Sequence, residues 1–442
     1  MIPNFAQAVL VSVLALLLGN APCLHADAQG VFGINPRYPK HFVYKGKPFF
    51  FVGKSAFALI DGNWKAYIDE AHRDGFNVLR VWLCSPGLTK KWGEDQYNRN
   101  QAAGDQWPLG GTPDKPDITR FNEDFFRRLD KMLSYLESKG MVAELTLFSD
   151  NAHGISKGYW PGGRKVWDEP KQRYVLFVLN RYRDRPNLYY EIANEYYTAG
   201  ELEFVGKVGD FIWDHDKTHL LTNSGRDPAQ FAAKPWYRIH NTHPTRGKNW
   251  WLLVYDEVGP IVRNYRFPVV NDEPMGSIAP EDKEHDYPGR DPDANHHRIN
   301  FWLTAMAGGY VTLHSHKGIN ALPGFNPGQE FVRPFRAFFE RVRFWEMELA
   351  DGLVKSGSAY ALASANKIVA YLPNGGSATL DLSKYKGKLK TAWYNPREGK
   401  FDKPFESQGG GEKSFTAPDT DDWRGSFPLP GQWQAQSYSP TG

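Results

Sequence analysis

A chain of 442 residues that sets 53 Lys and Arg against 50 Asp and Glu carries a formal charge of only +3 and shows no basic stripe, which excludes a surface built for nucleic acid. The length is ample for one large core plus a smaller module, and two cysteines are too few for a disulfide-stapled scaffold. Aromatic residues reach 15%, more than packing alone requires, and flat rings on loops suit the faces of sugars.

In chain order, the run from Ala8 to Leu18 is apolar but too short to span a bilayer in a mature protein, and Ala26-Asp27-Ala28 offers the small residues that a signal peptidase reads. A signal peptide over 1–28 is expected, and with it a secreted or periplasmic protein without a membrane span. The n-region departs from the pattern by lacking Lys and Arg. Cys23 falls in the same segment, without the upstream Leu of a lipoprotein signal. Its removal leaves Cys84 alone, so an internal disulfide is excluded and stability must come from the core.

Short apolar runs then alternate with amphipathic stretches. Eight strands are predicted: Phe49–Val52, Asn77–Leu83, Val142–Phe148, Leu188–Ala193, His219–Asn223, Tyr237–Asn241, Pro268–Asn271 and Tyr310–Leu313. Helices fall between them, among them Trp64–Asp74 ended by Gly75 and Phe121–Lys139 ended by Gly140, each with glycine where a left-handed cap is wanted. A last helix over Phe331–Ala350 carries Phe335, Phe338, Phe339, Val342 and Trp345 at helical spacing, as packing residues. This pattern specifies an α/β protein, a (β/α)8 TIM barrel over 29–350. Beyond about Gly352 the texture changes to short alternating strands with turn signals, predicting a small antiparallel β-sandwich domain over 351–442 that caps the barrel or binds a ligand.

Such barrels place their chemistry on loops at the strand C-termini. Glu195 and Glu273 end the fourth and seventh predicted strands. Two carboxyls so placed suit cleavage of a glycosidic bond, which needs a proton for the leaving oxygen and an anion facing an oxocarbenium-like carbon. Asp272 ranks behind Glu273, because alternation along a strand should turn it away. The long segments 85–119 and 149–160 read as subsite walls, so Trp82, Asp150, His153 and Trp160 join the candidate substrate-binding residues. His240, His243 and His314 follow other strand ends and suit sugar hydroxyls, since an imidazole donates and accepts at once. A zinc site is the competing reading of the histidines, but no Glu-containing helical motif frames them; neither metal nor cofactor is expected.

The pair Asn194-Glu195 after strand four, Glu273 after strand seven and Arg80 on strand two resemble the clan A retaining glycoside hydrolases. The opening Tyr44-Lys-Gly-Lys-Pro-Phe-Phe-Phe-Val-Gly53, the tail Trp393-Tyr-Asn-Pro-Arg-Glu-Gly399 and the segment Pro418 to Trp423 are similar to the apiosidase-like branch, whose barrel precedes a collagen-binding-type sandwich. The resemblance implies Glu195 as acid/base, Glu273 as nucleophile, Asn194 as partner of the sugar 2-hydroxyl and Arg80 as a residue beside the nucleophile. Two departures stand out. Ile239-His240-Asn241-Thr242-His243-Pro244 replaces a clan Tyr, and Leu313-His314-Ser315-His316-Lys317 replaces a clan Trp. The expected function is a secreted retaining glycoside hydrolase acting on a plant or microbial polysaccharide by double displacement. The alternatives are a transglycosylase of the same clan and a non-catalytic carbohydrate- or collagen-binding protein.

Overall fold

The computed structural model describes residues 30–60, 62–83, 108–112, 115–149, 160, 163–196, 198–225, 227–243, 250–274, 294–314, 324, 326–419 and 423–428. The expected signal segment, Cys84, Asp150, His153 and His316 lie outside the described residues.

The chain opens with a three-stranded antiparallel sheet, β1 (Gly33–Ile34), β2 (Phe42–Tyr44) and β3 (Lys47–Phe49). Its two-residue turn, Lys45-Gly46, has positive φ at both positions, the twist a tight hairpin requires. Phe32 and Phe42 pack on Tyr189 and Tyr310 with ring centroids 5.4 and 5.1 Å apart, so this sheet closes the N-terminal end of the barrel with aromatic rings.

The barrel runs β4 (Val52–Ser55), α1 (Trp64–Asp74), β5 (Val78–Trp82), the hairpin β6 (Leu109–Thr112) and β7 (Lys115–Phe121), α2 (Glu123–Ser138), β8 (Val142–Phe148), α3 (Glu169–Tyr182), β9 (Leu188–Ala193), α4 (Ala199–His215), β10 (Leu221–Thr222), β11 (Ser224–Gly225), β12 (His240–Thr242), α5 (Trp250–Asn264), β13 (Val269–Asn271), α6 (Ala294–Met306), β14 (Tyr310–Leu313) and α7 (Val332–Val342). The parallel order β10-β9-β8-β5-β4-β14-β13-β12-β11 closes on itself through the fifth stave, which is split at Asn223: β10 pairs with β9 and β11 with β12. Val142–Phe148 and Leu188–Ala193 are buried along their whole length, as parallel strands covered on both faces must be. Gly75 caps α1 at φ 103, where a side chain would also meet the Arg333 backbone at 2.9 Å.

Several elements depart from the sequence reading, among them the sixth strand, which is His240–Thr242 and not Tyr237–Asn241. The first barrel strand begins at Val52, because part of the aromatic run Phe49-Phe50-Phe51 belongs to the hairpin arm and the barrel strand holds the polar Lys54 and Ser55. The fifth strand continues past Asn223 into Ser224–Gly225. The last helix stops at Val342, where Arg343 turns to φ 60; Phe344–Glu346 is a short 3-10 turn and Trp345 is only half-buried.

Residues 348–428 form the expected small antiparallel β-domain: β15 (Glu348–Leu349), β16 (Val354–Ser356), β17 (Tyr360–Ala363), β18 (Lys367–Leu372), β19 (Ser377–Asp381), β20 (Lys388–Asn395), β21 (Lys400–Phe401), β22 (Phe405–Gln408), β23 (Glu412–Thr416) and β24 (Trp423–Pro428). Alternation along β18 decides its docking. Ile368, Ala370 and Leu372 face the domain's own core, whereas Val369 and Tyr371 join the barrel's hydrophobic cluster. Tyr371 and Tyr394 meet Trp302 of α6 at 6.2 and 5.8 Å, Phe338 of α7 lies 4.7 Å from Tyr394, and the Tyr394 hydroxyl donates to the Pro334 carbonyl at 2.9 Å.

Candidate active site

TIM-barrel interiors are ordinarily packed with branched aliphatic side chains. Here β5 points Arg80 inward, fully buried, into a layer of carboxyls. Its Nε and Nη2 donate to the two oxygens of Glu191 at 3.1 and 2.6 Å, Nη1 donates to Glu273 at 2.6 Å, and Nη2 also reaches Asn194 Oδ1 and Ser224 Oγ, each at 2.7 Å. Asp272 Oδ2 and Glu144 Oε1 stand 3.4 and 3.6 Å from the same guanidinium. The rest of the shell is polar as well. Thr146 and Ser224 donate to Glu191, while the Tyr189 hydroxyl and the Asn241 amide donate to Glu144, both at 2.6 Å. A charge so deep is tolerable only when paired and hydrogen-bonded, and the planar fork of Arg serves several carboxyls at once.

Above this layer His243, just past the end of β12, stands among three carboxyls. Its Nε2 is 3.1 Å from Asp272 Oδ1 and 3.8 Å from Glu273 Oε1, and its Nδ1 is 3.5 Å from Glu195 Oε1. Ligand atoms of Glu195, His243 and Glu273 all lie within 4.8 Å of one another. Burial would lower the His243 pKa, but Asp272 and Glu273 overcome it and raise it to about 10, so the ring is an imidazolium at neutral pH. Burial likewise opposes charge on Glu273, yet His243, His314 and Arg80 hold it below the usual carboxylate range. Asp272 is lowered in the same way, against its burial, by His243 and Arg80. Glu144 goes the other way, raised by burial and by the neighbouring Glu191. While His243 is protonated these three groups act as a carboxyl–imidazolium cluster; with the ring neutral, the same donor atoms would be open to a metal ion.

Of the expected residues, Glu195, Glu273, Asn194, Arg80 and His243 converge. Asp272 does so too, contrary to the expectation that it turns away, because β13 ends at Asn271 and strict alternation ends with it. His314 is near, its Nδ1 2.7 Å from Ser55 Oγ. Trp82 is stacked on Phe57 at 4.1 Å and nearly buried, and the other side of the Phe57 cluster meets Arg80 and His314. His240 and Trp160 are corrected from contact residues to core. His240 is fully buried, hydrogen-bonded to the Tyr237 hydroxyl, and lowered by burial to about 3; Trp160 packs on Tyr174 and Phe148. Glu144, Glu191 and Ser224 were not anticipated. The signal for the two glutamates was in the sequence, since a lone carboxyl inside an otherwise apolar strand is buried only when something pairs it.

The sequence model described as "Apiosidase-like, catalytic domain" matches residues 38–322, and that described as "Putative collagen-binding domain of a collagenase" matches residues 350–424. No curated protein matches the chain. Among solved structures, a glycoside hydrolase family 5 protein from Bacteroides vulgatus superposes with a TM-score of 0.72 at 16% identity, covering 93% of this chain and 95% of that one. A structure titled "Glycoside hydrolase" gives 0.69 at 16% identity, covering 91% and 97%. An endo-beta-1,4-mannanase from Thermotoga petrophila gives 0.50 at 16% identity, covering 84% and 91%. At these identities the likeness is one of fold.

Proposed function

The chain belongs to the apiosidase-like catalytic-domain family, and from that premise we propose that it is a retaining glycoside hydrolase in which Glu273 is the nucleophile and Glu195 the acid/base. The observation that carries the reading is the approach of Glu195, His243 and Glu273 to within 4.8 Å at the C-terminal ends of the barrel strands. Retaining hydrolases keep their carboxyls about 5–5.5 Å apart so that one attacks the anomeric carbon while the other protonates the leaving oxygen; inverting enzymes leave about 6.5–9.5 Å for a water.

The surroundings support separate roles. Glu273 is kept ionised by Arg80 and His243, and the 2.6 Å hydrogen bond from Arg80 Nη1 fixes one of its oxygens. In the first step Glu273 forms a bond to the anomeric carbon as the glycosidic C–O bond breaks, and Glu195 gives its proton to the departing oxygen. In the second step Glu195 takes a proton from water, whose oxygen attacks the same carbon and releases Glu273. Asn194, held by Arg80, presents its amide beside the acid for a sugar hydroxyl. Trp82 and His314, which meet Phe57 beside Arg80, serve as further substrate contacts, and Asp150 and His153 are assigned the same role from the sequence alone.

By the same reading the substrate is a plant or microbial polysaccharide or oligosaccharide. Residues 1–28 act as a signal peptide for a secreted or periplasmic enzyme, 29–350 form the catalytic unit and 351–442 an accessory domain. Among the described residues no helix is long and apolar enough to cross a membrane. Incubation with a panel of aryl glycosides and polysaccharides, followed by proton NMR of the first-formed anomer, tests the proposal. Release of sugar with the substrate's own anomeric configuration is expected; inverted product, or affinity without release, would refute it.

A further inference from the structure

Glu195 is one of only three non-glycine residues among those described with positive φ, at 48°. A long side chain in the left-handed region is strained, so something must hold it there. The purpose of the turn is visible in the site. Asn194 and Glu195 are sequence neighbours, and in a continuing extended strand their side chains would diverge. Instead Asn194 meets Arg80 and Glu195 meets His243 in one cluster.

The holder is Arg164, a buried side chain from the short 3-10 turn Gly163–Lys165. Its Nη1 donates to the Asn194 carbonyl, and its Nη2 donates to the Glu195 carbonyl at 2.9 Å and to Glu201 Oε1 at 2.8 Å. Glu201 is itself fixed, because its Oε2 accepts from the Thr198 backbone N–H at 3.0 Å while Thr198 Oγ1 caps the Glu201 N–H at 3.3 Å, a reciprocal capping box at the start of α4. One guanidinium therefore ties both peptide carbonyls around Glu195 to a helix terminus. Charge-assisted bonds of this kind are about twice as strong as neutral ones, and buried carbonyls leaving a strand ladder need such partners.

We propose that Arg164 is the positioning residue of the acid/base, fixing the left-handed backbone of Glu195 and so the direction of its carboxyl. The inference rests on the role given to Glu195 above. Arg164 touches no substrate; it acts through the Asn194 and Glu195 backbone. Lysine would keep the charge opposite Glu201 but cannot span two carbonyls and a carboxylate with one planar fork.

The test is Arg164→Lys assayed on matched phenyl and dinitrophenyl glycosides of one sugar, with kcat/KM reporting the first step. A dinitrophenolate leaves without protonation, so a misplaced acid hurts only the phenyl glycoside. The expected loss is at least about tenfold greater for the phenyl substrate, with Glu195 relaxed to negative φ in a crystal structure of the variant. Equal losses on both glycosides, or a retained φ near 48°, would overturn the assignment. Should Arg164→Lys fail to accumulate, Glu201→Gln takes its place: its amide oxygen still caps Thr198 while the charge on Arg164 goes unmatched, and the same split, smaller in size, is expected. A wild-type chain that cleaves no glycoside would sink the hydrolase reading alone, because the Glu195 dihedral in the variant still decides whether Arg164 sets it.

Discussion

Two buried clusters lie on opposite sides of the barrel wall and are built from opposite materials. Inside, Arg80 gathers Glu144, Glu191, Asp272 and Glu273. Outside, Trp302 and Phe338 meet Tyr371 and Tyr394 of the small β-domain in a joint of rings. Rings buried against rings stabilise simply by leaving water. Buried ions do not, because desolvation cancels most of their attraction, and apolar replacements of the same shape are often as stable or more so. A fold that needed only stability would fill the barrel with Val and Leu. The charged layer therefore marks the place where the chain has been shaped for chemistry, and the aromatic joint the place where it has been shaped to hold together.

The sharpest way to break that contrast is Glu273→Ala. Turnover per folded molecule should fall by at least about 10⁴-fold, since the variant loses its bond-forming group. Azide should restore turnover as a glycosyl azide, because an anion can occupy the vacated space. Near-wild-type rates would remove Glu273 from the mechanism and leave the layer unexplained.

The mirror experiment is Tyr394→Ala. It deletes a nearly buried ring and the hydrogen bond to Pro334, and should cost about 3 kcal/mol of stability. Turnover per folded molecule should not change. If kcat falls as well, the joint reaches the site, and α6 is the route to examine: its Asn300 and Thr304 hold Asn271, two residues before Glu273.

Arg80→Lys sharpens the comparison within the charged layer. Lysine keeps one charge but loses the two-pronged hold on Glu191 and the separate arm to Glu273, so kcat should drop at least about tenfold, roughly 1.4 kcal/mol of barrier, with KM little moved. An unchanged kcat would make Arg80 a counter-ion and nothing more.

The contrast also explains what the sequence made legible. Val142–Phe148, Leu188–Ala193 and Tyr310–Leu313 were readable to the residue because predominantly apolar runs, broken only by single polar residues such as Glu144, Glu191 and Thr312, describe strands buried on both faces. The fifth and sixth strands were blurred because they are two or three residues long and carry Thr, Ser, His and Asn. In the site, Glu195 and Glu273 stood out as strand-end carboxyls, and Arg80 as a charge within a strand. Asp272 was misjudged because the two-residue period was carried past Asn271, and Arg164 was invisible because two of its three partners are backbone carbonyls, which leave no mark in a sequence.

The mildest prediction concerns His243, which bridges the charged layer and the expected acid. Its pKa of about 10 lies above the ordinary 6.5 because Asp272 and Glu273 outweigh its burial, with Glu195 adding a hydrogen bond and the nearly neutral His240 close behind. A group raised in the folded state stabilises fully below its unfolded pKa, and that contribution is lost as pH climbs through the folded value. The window here runs from 6.5 to about 10. His243→Gln removes the titrating ring while keeping a donor, so the melting-temperature gap between wild type and variant should be widest at and just below pH 6.5. It should narrow with rising pH, by up to about 1.4 kcal/mol per pH unit in stability. Denaturation of both proteins across that window is the measurement. A gap that stays constant would show that His243 is neutral in the folded protein, which would leave His314 and Arg80 to hold Glu273 ionised.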